Sequence, residues 1–207
     1  MNKLKHIKWI AALWLGLVLI VVAFALGGVR MSKISRDPFQ VSDKSMPFYY
    51  GFLSNVGVLI WAACAFIAFY SSFLVRSKDQ KSLLRWAGIL TFILMVDDFL
   101  MIHDGLFRYV LHWPEYLVFI FYAIAFPVFL FRHRQIILSQ TEYWILGLGF
   151  FLAGLSVTMD LKLLPGSIDL EDGCKLFGMA AYAYYWIFTA KDMVARTVTD
   201  ESKPPVR

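Results

Sequence analysis

The chain is poor in the residues from which soluble catalytic and metal sites are usually built. In 207 residues there are two cysteines and four histidines. Cys64 and Cys174 belong to no CxxC or Cys/His zinc spacing and read as small apolar packing residues. Cys64 falls mid-way along one apolar stretch and Cys174 near the end of another, a depth difference of roughly 10 Å, too large for a disulfide. His6, His112 and His133 fall outside the apolar stretches, which argues against a haem held by paired intramembrane histidines. P-loop and DDxxD patterns are absent. No seventh span carries the mid-helix lysine that a retinal Schiff base requires. Asn2 and the terminal PPVR remove the signals for myristoylation and prenylation. Charge is scarce as well, at 17% of residues.

What the chain has instead is apolar sequence. It is 59% hydrophobic and 17% aromatic, with a mean hydropathy of +0.63, which excludes an ordinary soluble domain. A membrane-crossing helix needs about 20 mostly apolar residues. Six such stretches occur, at about 7–29, 51–75, 86–103, 114–131, 141–160 and 171–190. Trp9, Trp86, Trp113, Tyr116, Tyr143 and Trp144 lie near their ends, as interfacial aromatics do. The expected fold is all-α, a polytopic bundle of six transmembrane helices in one domain over residues 1–196. The polar tail TVTDESKPPVR, 197–207, is expected to be disordered.

Orientation follows from lysine and arginine. With the amino terminus inside, the inner segments hold Lys3, Lys5, Lys8, Arg76, Lys78, Lys81, Arg85, Arg132, Arg134, Lys191, Arg196, Lys203 and Arg207. The outer segments hold Arg30, Lys33, Arg36, Lys44, Arg108, Lys162 and Lys175. This bias places both termini in the cytoplasm and the chain in the cell membrane. It also accounts for the net charge of +5 without nucleic acid as a partner. Ala23-Phe24-Ala25 matches a signal-cleavage pattern, but the run is long enough to span, so an uncleaved first helix is expected. The segment from Arg30 to Tyr50 reads as an outer loop.

One stretch breaks the apolar pattern from within. Residues 95–105 read MVDDFLMIHDG. On a helix entered at Trp86, Asp97 lies roughly 16 Å deep, inside the hydrocarbon, whereas His103 and Asp104 lie near the outer interface. In a continuous helix Asp97 and Asp104 share a face, while Asp98 and His103 diverge to either side. No single metal could take all four, so a closed site must recruit other helices, the sixth first. Candidates at the same depth are Ser54 and Asn55 on the second helix, Ser156, Thr158 and Asp160 on the fifth, and Glu171, Asp172 and Lys175 on the sixth. The inner halves are aliphatic and aromatic, apart from hydroxyls such as Ser71 and Ser72. Tyr70, Tyr122, Tyr182, Tyr184 and Tyr185 could extend a hydrogen-bonded route.

Carboxylates with imidazole suit zinc, iron or manganese, and a bound metal would polarise a carbonyl or generate hydroxide. Asp97, Asp98, His103, Asp104, Glu171 and Asp172 are therefore the metal-ligand candidates, and Asp97, Asp98 and Ser54 the catalytic ones. The expected activity is metal-assisted hydrolysis of a lipid or membrane-associated substrate. The alternatives are a proton or cation transporter component and a non-catalytic assembly subunit. Membrane lipids are the expected partners, with further copies of the chain or a larger membrane complex in the assembly reading. Plainer roles compete at each residue. Asp97 and Asp98 could form a polar core with Ser54, Asn55 or tyrosines, although burying adjacent carboxylates is costly. His103 suits an interfacial hydrogen bond, and Asp104 before Gly105 suits a turn. Glu171 and Lys175 have the spacing of a helical ion pair. Asp160, Asp169 and Glu115 read as solvated helix ends.

Two resemblances are carried by these residues. DDFLMIHD at 97–104 and LEDGCKLFG at 170–178 resemble a DD-x4-H-acidic helix and an acidic-Gly-x-Lys-x-x-Gly helix start in uncharacterised bacterial multi-pass membrane proteins. That resemblance covers the third and sixth helices and implies no activity. Ser54 and Asp97 are also similar in kind to the serine and aspartate of the alkaline ceramidase and adiponectin-receptor superfamily, which are intramembrane zinc hydrolases. The HxxxH pair and the seventh helix of that superfamily are missing here, so the comparison is one of analogy.

Overall fold

The computed structural model describes residues 3–35, 47, 49–114 and 116–201, and every regular element among them is helical. Helix α1 spans Lys3–Leu26, α2 Met31–Ser35, α3 Phe52–Leu74 and α4 Lys78–Leu100. A π-helical segment, Ile102–Val110, continues α4 after a break. Then follow α5 (Tyr116–Arg132), α6 (Arg134–Gln140), α7 (Tyr143–Asp160) and α8 (Ile168–Glu201). Most of the outer loop expected at 30–50 lies outside the described residues. The tail expected from Thr197 begins as helix, because α8 runs on to Glu201; residues 202–207 lie outside the description.

Local chemistry explains several of these boundaries. α1 ends where Gly27 and Gly28 follow, with Gly28 at φ +76°. The Val29 N–H reaches back to the Phe24 carbonyl at 3.0 Å, which satisfies a carbonyl that the helix end would orphan. α3 begins after Gly51, at φ +68°, whose N–H donates to the Lys33 carbonyl at 3.1 Å. α5 and α6 meet at His133 with a bend of 67°.

Among the described residues, three helices are long and apolar enough to cross a membrane: Leu4–Leu26, Phe52–Leu74 and Tyr143–Asp160. The α5 and α6 pair makes a fourth if it is one bent span. Charge sets α4 and α8 apart. α4 opens with Lys78, Asp79, Lys81 and Arg85, and α8 carries Asp169, Glu171, Asp172 and Lys175 near its start and Lys191, Asp192 and Arg196 further on. Much of the apolar surface is outward-facing: Leu15 and Leu19 on α1 are 59% and 58% exposed, which hydrocarbon would solvate and water would not.

The chain resolves into two compact units. The first comprises Met1–Ile60 and Trp144–Tyr182, the second Trp61–Tyr143 and Ala183–Arg207. In the first, Leu17, Ile34, Leu53, Leu176 and Ala180 form an apolar cluster, flanked by Trp14, Phe24, Met31 and Phe177. The short α2 is anchored there through Ile34, which is fully buried. α7 meets α8 through glycines: a Cβ at Gly178 would fall 2.9 Å from the Ala153 nitrogen, and one at Gly149 would fall 3.0 Å from the Tyr182 nitrogen. Small residues let the two backbones touch. In the second unit, α3 and α4 form an antiparallel hairpin with the same device, since a Cβ at Gly88 would fall 2.8 Å from the Phe69 nitrogen.

Gly178→Ala should therefore destabilise the protein by about 1–3 kcal/mol, because backbone has to move to admit the methyl. Gly147→Ala meets nothing within 4 Å and should be neutral or slightly stabilising. Thermal unfolding of the two variants in detergent checks the difference.

Candidate functional site

The acidic stretch sits where α4 stops. Met101 adopts the left-handed conformation, φ 50° and ψ 48°, and its N–H points back to the Asp97 and Asp98 carbonyls. A methionine there carries a cost of roughly 1–2 kcal/mol, so surrounding contacts must hold it. The π-helical segment starts at the next residue, with the Gly105 and Leu106 N–H groups both directed at the Met101 carbonyl, at 2.6 and 3.2 Å. Such segments recur where a helix is re-aimed for function.

Asp97 is the residue that holds this break. It is buried, 5% exposed. Its Oδ1 accepts the His103 backbone N–H at 3.0 Å and lies 3.0 Å from His103 Nδ1. Its Oδ2 accepts the Tyr122 hydroxyl of α5 at 2.8 Å. All three neighbours can donate to an ionised carboxylate, which only accepts, so His103 carries its hydrogen on Nδ1 in this arrangement. Nε2 is then the basic nitrogen of the ring. The His103 ring packs beside Phe119, with centroids 5.5 Å apart. Next to this network, Asp98 is half-buried and its Oδ2 accepts the Trp61 indole N–H at 2.8 Å.

This arrangement corrects the expectation of one continuous helix through His103. On such a helix Asp97 and His103 would point roughly 120° apart. The break at Met101 turns the chain so that the two meet, and the central pair of the site forms within a single stretch of sequence. The partners it recruits come from α3 and α5, through Trp61 and Tyr122. Tyr122 was among the tyrosines expected to extend a polar route. Trp61 was not foreseen, because one indole among seven tryptophans carries no distinguishing sequence signal.

The remaining candidates are distributed as follows. Asp172 belongs to the first unit, where the Ser35 hydroxyl of α2 donates to its Oδ2 at 2.5 Å. Glu171 is half-buried in the first turns of α8, and Ser54 is half-buried in the first turn of α3. The backbone of Asp104 lies in the π-helical segment, and its side chain falls outside the described part. Glu115 is also outside the described residues. Among the described residues no three His, Cys, Asp or Glu side chains gather into a group that could hold a metal ion. Of the six ligand candidates expected from sequence, Asp97 and His103 are in contact, Asp98 lies alongside them on Trp61, and Asp172 is bonded to Ser35. Cys64 and Cys174 are free.

Tyr122→Phe should cost about 1–3 kcal/mol, since it leaves a buried carboxylate oxygen without its donor. Tyr116→Phe, at an exposed ring, should stay within about 0.5 kcal/mol. Equal unfolding temperatures for the two variants would show that the Tyr122–Asp97 bond contributes nothing.

No curated protein and no solved structure matches the chain. A family model described as a domain of unknown function (DUF8692) matches residues 12–189, which reaches into both units and includes the whole Asp97–His103–Tyr122 network. The chain belongs to the DUF8692 family.

Proposed function

We propose that this protein is a six-span membrane protein that handles protons at its broken third long helix, α4, as a component of proton-coupled transport. The observation that carries the proposal is the Asp97–His103 contact. A carboxylate holding Nδ1–H of an imidazole fixes the tautomer and stabilises the imidazolium that forms when Nε2 takes a proton. Tyr122, on the other carboxylate oxygen, supplies a second exchangeable hydrogen. Intramembrane ionisable residues at a discontinuous helix are the usual equipment of transporters, because only there can freed backbone groups and charge be satisfied together.

The six-span topology rests on the six apolar stretches of the sequence, of which the third, 86–103, runs through the break at Met101. α4 and α8 confine their charges to their ends, so residues 86–96 and 176–190 remain free of Asp, Glu, Lys and Arg. The bias of lysine and arginine puts both termini in the cytoplasm and the Asp97–His103 pair toward the outer face.

Metal-assisted hydrolysis has less support. It calls for about three protein ligands and an open position, whereas both Asp97 oxygens already accept hydrogen bonds and no third ligand joins His103 among the described residues. Proton chemistry needs no further group. The same internal satisfaction of Asp97 also suits the assembly-subunit reading, in which the network only fixes helix packing.

Flux separates these readings. The full chain in liposomes loaded with a pH-sensitive dye should pass protons faster than empty vesicles. Asp97→Asn and His103→Gln should each lower that rate at least tenfold, while His112→Asn, at an exposed position, should leave it unchanged. A wild-type rate equal to that of empty vesicles ends the proton-handling reading.

A further inference from the structure

The inner part of the second unit is not the apolar slab its sequence suggests. His133, expected outside the spans between Arg132 and Arg134, is buried, 8% exposed, at the corner between α5 and α6. Its Nδ1 lies 3.1 Å from the Phe129 carbonyl and its Nε2 3.1 Å from the Ser82 hydroxyl of α4. A carbonyl only accepts, so Nδ1 carries the hydrogen, and Nε2 accepts from Ser82. The corner is closed by a second polar pair, the Gln80 amide donating to Gln140 Oε1 at 2.9 Å. His133 is thus a buried imidazole with a basic nitrogen turned toward a half-buried hydroxyl.

Its position along α5 gives this meaning. Tyr122, Phe126, Phe129 and His133 follow at spacings of four, three and four, the repeat of one helix face. Tyr122 donates to Asp97 at one end of that face, and His133 accepts from Ser82 at the other, roughly 16 Å away at 1.5 Å per residue. Between them stand the buried rings of Phe126 and Phe129, the latter packed on Trp186 with centroids 5.8 Å apart. Elsewhere in this unit Thr91 gives its hydrogen to Ala87 and Ser72 to Phe69, each within its own helix.

We infer that His133, with Ser82, is the inner proton-binding site of the same path, and that Phe126 and Phe129 form the dry barrier between it and the Asp97–His103 pair. The inference rests on the proton-handling reading above. The step balances without a further reagent. A hydronium ion gives its proton to the Ser82 oxygen as Ser82 passes its own hydrogen to Nε2, leaving water, an intact hydroxyl and an imidazolium; release reverses this. The elements at this corner carry Arg132 and Arg134 on either side of His133, Lys78, Asp79, Lys81 and Arg85 on α4, and Lys191, Asp192 and Arg196 on α8. Arg132 and Arg134 are exposed, with the Arg134 guanidinium carbon 4.1 Å above the Phe131 ring. On α4, Lys81 precedes Ser82, Arg85 lies 5.9 Å over the Phe73 ring, and Asp79 is exposed. From α8, the element that meets Phe129 is the uncharged Trp186.

The test uses the full chain in oriented proteoliposomes, with pH varied separately on each side. His133→Gln should lower the Asp97-dependent flux at least tenfold and flatten its dependence on inner pH, while the dependence on outer pH persists. Ser82→Ala, a milder change that keeps the ring in place, should slow the flux several-fold. It decides the matter alone if His133→Gln fails to fold. Flux that still needs Asp97 but is unchanged in both variants overturns the inner site and leaves proton handling standing. Wild-type flux no faster than empty vesicles removes both.

Discussion

One carboxylate oxygen carries the second unit's most demanding local geometry. Asp97 Oδ1 takes the backbone N–H and the ring nitrogen of His103 at the point where α4 ceases to be an α-helix. A helix that breaks in a dry interior exposes backbone donors, and each one left unpaired is costly. Asp97 supplies an acceptor six residues upstream of the donor it satisfies. The left-handed Met101 is the turn that makes this reach feasible. The second oxygen of Asp97 ties the break to α5 through Tyr122, and the adjacent Asp98 ties it to α3 through Trp61. Three elements are fastened at one end of the unit by two neighbouring residues.

The first unit is held by different means. Its α7 and α8 backbones approach at glycines, and its centre is the apolar cluster around Leu17, Ile34 and Leu176. Dispersion from close packing does there what hydrogen bonds do around Asp97. One polar tie stands out within it, the Ser35 hydroxyl on Asp172, which fastens α2 to the start of α8. The acidic residues of the DDFLMIHD and LEDGCKLFG motifs thus have separate occupations: the first pair fastens the break in α4, while Asp172 secures a short helix.

The helices were legible because hydropathy over 20 residues is a strong signal, and the importance of Asp97 and Asp98 was legible because buried charge is expensive. The break was not. No glycine or proline marks position 101, so sequence periodicity carried the helix straight through it and turned His103 away from Asp97. Tyr122 could be noticed only as one tyrosine among several, and Trp61 not at all, since an indole donor becomes specific only once a carboxylate faces it. His133 was masked by its neighbours: Arg132 and Arg134 give the segment the look of a solvated turn, yet a bend of 67° folds the imidazole inward while both arginines stay out. Which of the acidic candidates converge was not legible for a related reason. Shared depth along separate helices does not bring side chains together, and Asp172 found a serine partner.

The account turns on the hydrogen between Asp97 and His103, and nitrogen NMR of histidine-labelled protein in bilayers observes it directly. With only four histidines the ring signals can be assigned by single substitutions. His103 should carry its hydrogen on Nδ1, with that nitrogen dipolar-coupled to the carboxyl carbon of Asp97, and Asp97→Asn should abolish the coupling. A His103 ring protonated on Nε2 alone, or one that shows no proximity to Asp97, would contradict the account.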